Sequence, residues 1–137
     1  MKTAHVSRTT IRLAALFLVL GLILASCAPF GSTTRLRVMN AGTVPIQNLT
    51  ILFPDEEVTF GNVPAGATTD YQRVGKGVYS YAAYRFELAG SNVTQPVLDW
   101  MGAQPITDGE AFTYVVDLDP TRDPMQLIQV REVSRDD

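Results

Sequence analysis

Histidine and cysteine are all but missing from the 137 residues: there is one of each, His5 and Cys27, and neither occurs beyond position 27. The long C-terminal part therefore has no imidazole for a Ser-His-Asp or Cys-His pair. It has no His/Cys set for zinc, and a lone cysteine makes no internal disulfide. Phosphate-cradling GxxxxGK[ST] loops, GxGxxG turns and GxSxG elbows are absent as well. An acid or base in this region has to be a carboxylate, Lys76 or a tyrosine. Tryptophan is also scarce, with Trp100 alone.

What is present at the N-terminus has a definite order. Residues 1–12 are polar and basic, with Lys2, His5, Arg8 and Arg12. Residues 13–25 then read LAALFLVLGLILA, 13 apolar positions, followed by Ser26 and Cys27. A basic stretch, an apolar run of this length and small residues at its end describe a secretory signal. No twin-arginine pair accompanies it. Leu24-Ala25-Ser26-Cys27 resembles the lipobox of bacterial lipoproteins. The resemblance implies that the Cys27 thiol receives a diacylglyceryl group, that the signal is cut before Cys27, and that the new amine is then acylated. One acyl chain holds a protein marginally, whereas two or more anchor it stably. The competing reading is an uncleaved anchor, because residues 13–30 are 18 positions without a charge. Pro29 and the small Ala-Ser-Cys stretch make the last third of that span a poor helix. In the same family an Asp after the cysteine goes with inner-membrane retention. Ala28 stands there instead, which leans toward an outer membrane.

Cleavage before Cys27 leaves 111 residues, enough for one domain with a core. Lys2, Arg8 and Arg12 leave with the signal. Eight basic residues then stand against 14 acidic ones, a balance of −6. An acidic surface disfavours nucleic acid and gives no general pull toward anionic lipid. Residues 28–34 form a tether of at most about 25 Å. The expected organisation is a signal over 1–26, a lipidated N-terminus and tether over 27–34, a β domain over 35–133, and a frayed acidic end over 134–137.

Nothing after Thr34 keeps a helical period. Short β-rich runs are separated by Gly, Pro, Asn and Asp clusters. Strands are expected over 35–40, 46–53, 58–60, 68–74, 78–88, 93–98, 111–118 and 125–133. Leu49, Ile51 and Phe53 share one face, as do Phe112, Tyr114, Val116 and Leu118. The pattern predicts an all-β fold: a small antiparallel immunoglobulin-like or transthyretin-like β-sandwich of seven or eight strands, preceded by an N-terminal signal helix. A small barrel is the alternative. The strand ending in Asn40, with Asn62-Val63-Pro64-Ala65-Gly66 leading to Tyr71, resembles small β modules of uncharacterised bacterial lipoproteins and surface proteins. That resemblance implies a fold rather than an activity.

Three groups invite a functional reading. Asp55-Glu56-Glu57 lies in one turn, whereas a glycosidase needs two carboxyls opposed across a cleft. Asp117, Asp119 and Asp123 surround a Pro120 loop and supply hard oxygens for calcium, without the Gly and Glu of an EF-hand. They are equally a solvated turn cluster. In 78–86, strand alternation puts Tyr79 and Tyr81 on one side and Tyr84 and Phe86 on the other. One pair belongs in the core. Tyr79 and Tyr81, with Trp100, are candidates for a patch that meets a glycan, a solute or a partner protein. The N-x-T patterns at Asn48 and Asn92 are incidental in a bacterial chain. The sequence calls for no cofactor. Its best reading is a non-catalytic binding or accessory module, held to the membrane through acylated Cys27 on the outer face of the cell membrane or on the outer membrane, with an envelope protein or glycan as partner.

Overall fold

Period-two burial marks the strands from the first described residue. The computed structural model describes residues 34–97, 100–102, 104–106 and 110–136. The signal, Cys27 and the tether to residue 33 lie outside the described residues. Strand β1 (Thr34–Asn40) buries Thr34, Leu36, Val38 and Asn40 and turns Arg35, Arg37 and Met39 outward. Then follow β2 (Ile46–Phe53), β3 (Glu56–Val63), β4 (Gln72–Val74), β5 (Ala83–Leu88), β6 (Ser91–Gln95), β7 (Ala111–Leu118) and β8 (Ile128–Asp136). They form two four-stranded sheets, ordered β4-β1-β7-β8 and β3-β2-β5-β6. The fold is a small all-β sandwich. Its core is one cluster drawn from both sheets, including Leu36, Val38, Ile51, Phe86, Tyr114 and Val116.

The antiparallel expectation fails at one pairing. β1 runs parallel to β7, with Arg37 opposite Thr113 and Val38 opposite Tyr114. A parallel pair needs a long crossover. Here strands β2 to β6 supply it, and closely spaced turns signal hairpins only. β2–β3 and β5–β6 are such hairpins. The second turns at Ala89 and Gly90, both at positive φ, one residue earlier than Gly90-Ser91 suggests.

Two expected strands are shorter than their composition implies. Of 78–88, only Ala83–Leu88 is strand, and Val78 keeps a single bridge to Ile106. The reason is topological: β4 belongs to one sheet and β5 to the other, so the chain between them crosses the end of the sandwich. Of 68–74, Thr68 makes one bridge to Met39 and pairing resumes at Gln72. The acidic end also differs from expectation. Ser134 and Asp136 pair with Thr113 and Ala111, so β8 is paired where fraying was expected. Asp136 accepts hydrogen bonds from Tyr71 and Thr113 at 2.8 and 2.6 Å and sits 3.4 Å from Arg37. Asp137 is outside the described residues.

Side chains finish what the strands leave open. Asn40, fully buried, donates to the carbonyls of Val44 (2.9 Å) and Val63 (3.1 Å) and accepts from the Gly42 amide (3.0 Å). Its own backbone bonds Ala67 and Gly66. One residue thus fastens the β1–β2 turn to the Pro64-Ala65-Gly66 loop. A Cβ on Gly42 would stand 3.1 Å from Asp117 Cβ, so a side chain there needs the loop or β7 to give by a few tenths of an ångström. At the other end, Gln95 donates to the Ile128 carbonyl (2.7 Å) and accepts from its amide (2.8 Å), joining β6 to β8 across the gap between sheets.

The Tyr84 hydroxyl has no such arrangement. Tyr84 is 2% exposed, and its hydroxyl has no hydrogen-bond partner among the described residues. Burial pushes its pKa up. A buried hydroxyl without a partner costs about 1–3 kcal/mol. Tyr84→Phe removes that penalty and leaves the ring in place. The variant is expected to melt higher by a few degrees, roughly 4–8 °C per kcal/mol for a domain of this size, in a thermal scan. An unchanged or lower midpoint would mean that the hydroxyl is satisfied.

Candidate functional site

The crossing between the sheets builds the aromatic site. Gly77 takes φ of 97°, a left-handed conformation open to glycine, and lets the chain leave β4. Tyr79 then drops inward, 7% exposed, with its ring 5.5 Å from Phe53 and 5.4 Å from Trp100. The Tyr114 hydroxyl donates to the Tyr79 carbonyl and holds this segment down. Two residues on, Tyr81 emerges at 36% exposure and stacks on Trp100, centroids 5.4 Å apart and planes 24° from parallel. Trp100 is half-buried against the core. Met101 beside it is 87% exposed. Tyr79, Tyr81 and Trp100 therefore do meet, as one buried base under a two-ring platform. The other pair, Tyr84 and Phe86, is core.

The acidic turn after β2 is structural. Glu56 accepts from the Gly75 and Lys76 amides, and Glu57 pairs with Arg85 at 3.1 Å. Asp55 is exposed in the turn.

Asp117, Asp119 and Asp123, the calcium candidates, are each engaged by other groups of the fold. Asp117 Oδ2 receives Arg122 at 2.9 Å and Arg131 at 3.0 Å. Asp119 accepts from the Thr121 amide and hydroxyl and lies 3.5 Å from Arg122. Asp123 accepts from the Met125 amide. Arginines and turn groups engage Asp117 Oδ2, both oxygens of Asp119 and Asp123 Oδ1, and among the described residues no three carboxylates converge for a metal. Asp117, Asp119, Arg122 and Arg131 wall a cavity of about 350 Å³ together with residues 41–44. Asp117 Oδ1 and Arg122 Nη1 are buried there without a partner among the described residues. Sequence reading missed this cavity because Arg131 and Asp117 meet only through β7–β8 pairing.

The hydrogen bond from Arg131, with help from Arg122, holds the Asp117 carboxyl below its usual value of 3.8 against the opposing effect of burial. A depressed folded pKa contributes stability that is present above the unfolded value and lost as pH falls through the folded one. The domain is therefore expected to weaken below about pH 4, the ordinary carboxylate range. Asp117→Asn should be less stable at pH 7 and lose part of that acid dependence. Melting temperatures measured from pH 7 to pH 2 check this, and an unchanged slope would remove Asp117 from the account.

No protein-family model matches the chain, and no curated protein matches it. Among solved structures, the NMR structure of a protein from Eubacterium rectale superposes with a TM-score of 0.49 at 14% identity, over 78% of this chain and 96% of that one.

Proposed function

We propose that the protein is a bacterial lipoprotein, anchored through acylated Cys27 to the outer face of the cell membrane or to the outer membrane, whose β-sandwich is a non-catalytic binding or accessory module. The anchor rests on the Leu24-Ala25-Ser26-Cys27 lipobox behind its basic and apolar segments. The non-catalytic reading is supported by the carboxylates. Asp117, Asp119 and Asp136 all have lowered pKa values, whereas a general acid requires a raised one. The partner is an envelope protein, and no nucleic acid is implied.

Cys27→Ala is expected to leave the membrane fraction and to lack the lipid mass on its N-terminal peptide. A variant that stays membrane-bound removes the anchor. Cross-linking in intact cells with mass spectrometry tests the module. One dominant protein partner makes this an accessory subunit, and its linked residues mark the interface.

The Tyr81–Trp100 stack favours a second reading, a glycan- or solute-binding module. Stacked aromatic faces at a rim suit the apolar face of a sugar ring. Trp100 is the single tryptophan, so its fluorescence reports this site alone. A saturable change with an envelope oligosaccharide, abolished in Tyr81→Ala, supports it. An unresponsive Trp100 argues against it.

A further inference from the structure

Charge in this domain is not spread evenly. Of the eight basic residues beyond Cys27, five are paired with carboxylates: Arg37 with Asp136, Arg85 with Glu57, Arg122 with Asp117 and Asp119, Arg131 with Asp117, and Arg135 with Glu110. The other three are Arg35, Arg73 and Lys76. All three are exposed, and none has a carboxylate partner among the described residues.

These three meet at one corner. In the β1·β4 ladder Arg35 lies directly opposite Arg73, and Thr34 opposite Val74. Lys76 follows two residues after Val74, just past the start of β1. Like charges directly opposite on paired strands repel. Just before β4 lies Tyr71, whose ring carries the Arg35 guanidinium at 5.3 Å and the Arg37 guanidinium at 4.7 Å. Three nearby acids are occupied. Asp136 is held by Tyr71, Thr113 and Arg37. Glu56 accepts from the Gly75 and Lys76 amides, and Glu110 pairs with Arg135 at 2.6 Å.

The corner is also where the chain arrives from its anchor. Thr34 is the first described residue and the first of β1, and it stands seven residues after Cys27. At most about 25 Å of chain separates them. The first outward-facing side chain at the end of that tether is Arg35.

We propose that Arg35, Arg73 and Lys76 form a membrane-facing corner that binds the phosphates of anionic lipid headgroups beside the anchor. The inference rests on the lipoprotein reading and deepens it, by giving the anchored domain an orientation. The net charge of −6 does not oppose it at this range. Exposed charges beyond about 8 Å are largely screened at physiological salt, so the lipid surface senses the corner rather than the whole protein. Guanidinium is suited to the task, since its planar fork meets phosphate oxygens in pairs. Each cation held near an anionic leaflet is worth roughly a fivefold change in association.

The test is a footprint on the mature, acylated protein reconstituted into two kinds of vesicle, phosphatidylglycerol-rich and pure phosphatidylcholine. Arginines are labelled with phenylglyoxal and lysines by acetylation, and rates are read per residue by mass spectrometry. The expected result is labelling of Arg35, Arg73 and Lys76 at least threefold slower on phosphatidylglycerol, with the difference abolished at about 1 M salt, where screening acts within about 3 Å. Arg85, on the other sheet, should label equally on both. Equal rates at the corner on the two vesicles overturn the proposal, as does slowing that extends equally to Arg85. The mass of the Cys27 peptide reports the anchor separately. If it carries no lipid, the lipoprotein reading fails on its own. The free chain added to phosphatidylglycerol vesicles then decides the corner by the same protection pattern.

Discussion

Asn40→Leu is expected to lose about 3–5 kcal/mol of stability, because three buried or half-buried backbone groups each lose a partner worth about 1–3 kcal/mol. The substitution keeps the number and branching of the side-chain heavy atoms and removes the polar ones. The carbonyls of Val44 and Val63 lose their donor, and the Gly42 amide loses its acceptor. Domains of this size are stable by about 5–15 kcal/mol in total, so the loss takes much of the margin. Asn40→Asp should also fall short. It keeps the acceptor for Gly42 but loses both donors and places a carboxylate where Asn40 is fully buried. Urea unfolding followed by Trp100 fluorescence measures both. A loss under about 1 kcal/mol for Asn40→Leu, the size of a single net hydrogen bond, would show that the loops are held by other contacts.

The second large effect is expected at Gln95. Its amide imitates a strand, giving Ile128 both halves of a backbone pair. Gln95→Leu leaves the buried Ile128 amide and carbonyl unpaired, at a cost of about 2–4 kcal/mol. Gln95→Glu gives a sharper signature. A protonated carboxyl at this place can still donate to the Ile128 carbonyl and accept from its amide, whereas an ionised one cannot donate and is buried. Burial raises its folded pKa. A raised folded pKa means stability that is present at low pH and lost as pH rises through it. The deficit of Gln95→Glu relative to the parent should therefore shrink from pH 7 to pH 5, opposite in sign to the acid loss tied to Asp117. Denaturant midpoints across that range decide it, and a deficit constant with pH would mean that the side chain has moved to solvent.

Strands whose alternation is clean and bounded by turn residues were legible from the residues alone. β2 and β7 begin and end where Ile46, Phe53, Ala111 and Leu118 suggest. The rest was hidden for separate reasons. Residues 79–82 are as apolar and aromatic as a strand, yet they spend that character on crossing between sheets. The end of β8 looks solvated because Arg135 and Asp136 are charged, but Glu110, Tyr71 and Thr113 hold them. Parallel pairing of β1 with β7 has no local signal. For the site, the residue types were readable and their depths were not. Tyr79 and Tyr81 sit at different levels because the segment is not a strand. The Asp117 group reads as a metal site only while Arg122 and Arg131 are left out of it. Arg35 and Arg73 are far apart in sequence, so their shared corner exists only through the β1·β4 register.

The parallel β1·β7 ladder also sets a schedule. The sheet made of β3, β2, β5 and β6 is complete once Gln95 is available, and all of its neighbours are near in sequence. The other sheet waits, because Arg37 pairs with Thr113, 76 residues downstream. In a chain that emerges N-terminus first, β1 has one strand neighbour, the three residues of β4, besides its loop contacts at residues 66–69, until β7 appears. Such distant pairings form late. For that interval Leu49, Ile51, Phe53, Tyr84 and Phe86 line a finished sheet with nothing over it. A half-delivered chain is thus sticky and unable to close. Closure is set by arrival of β7 and β8 rather than by the first strand.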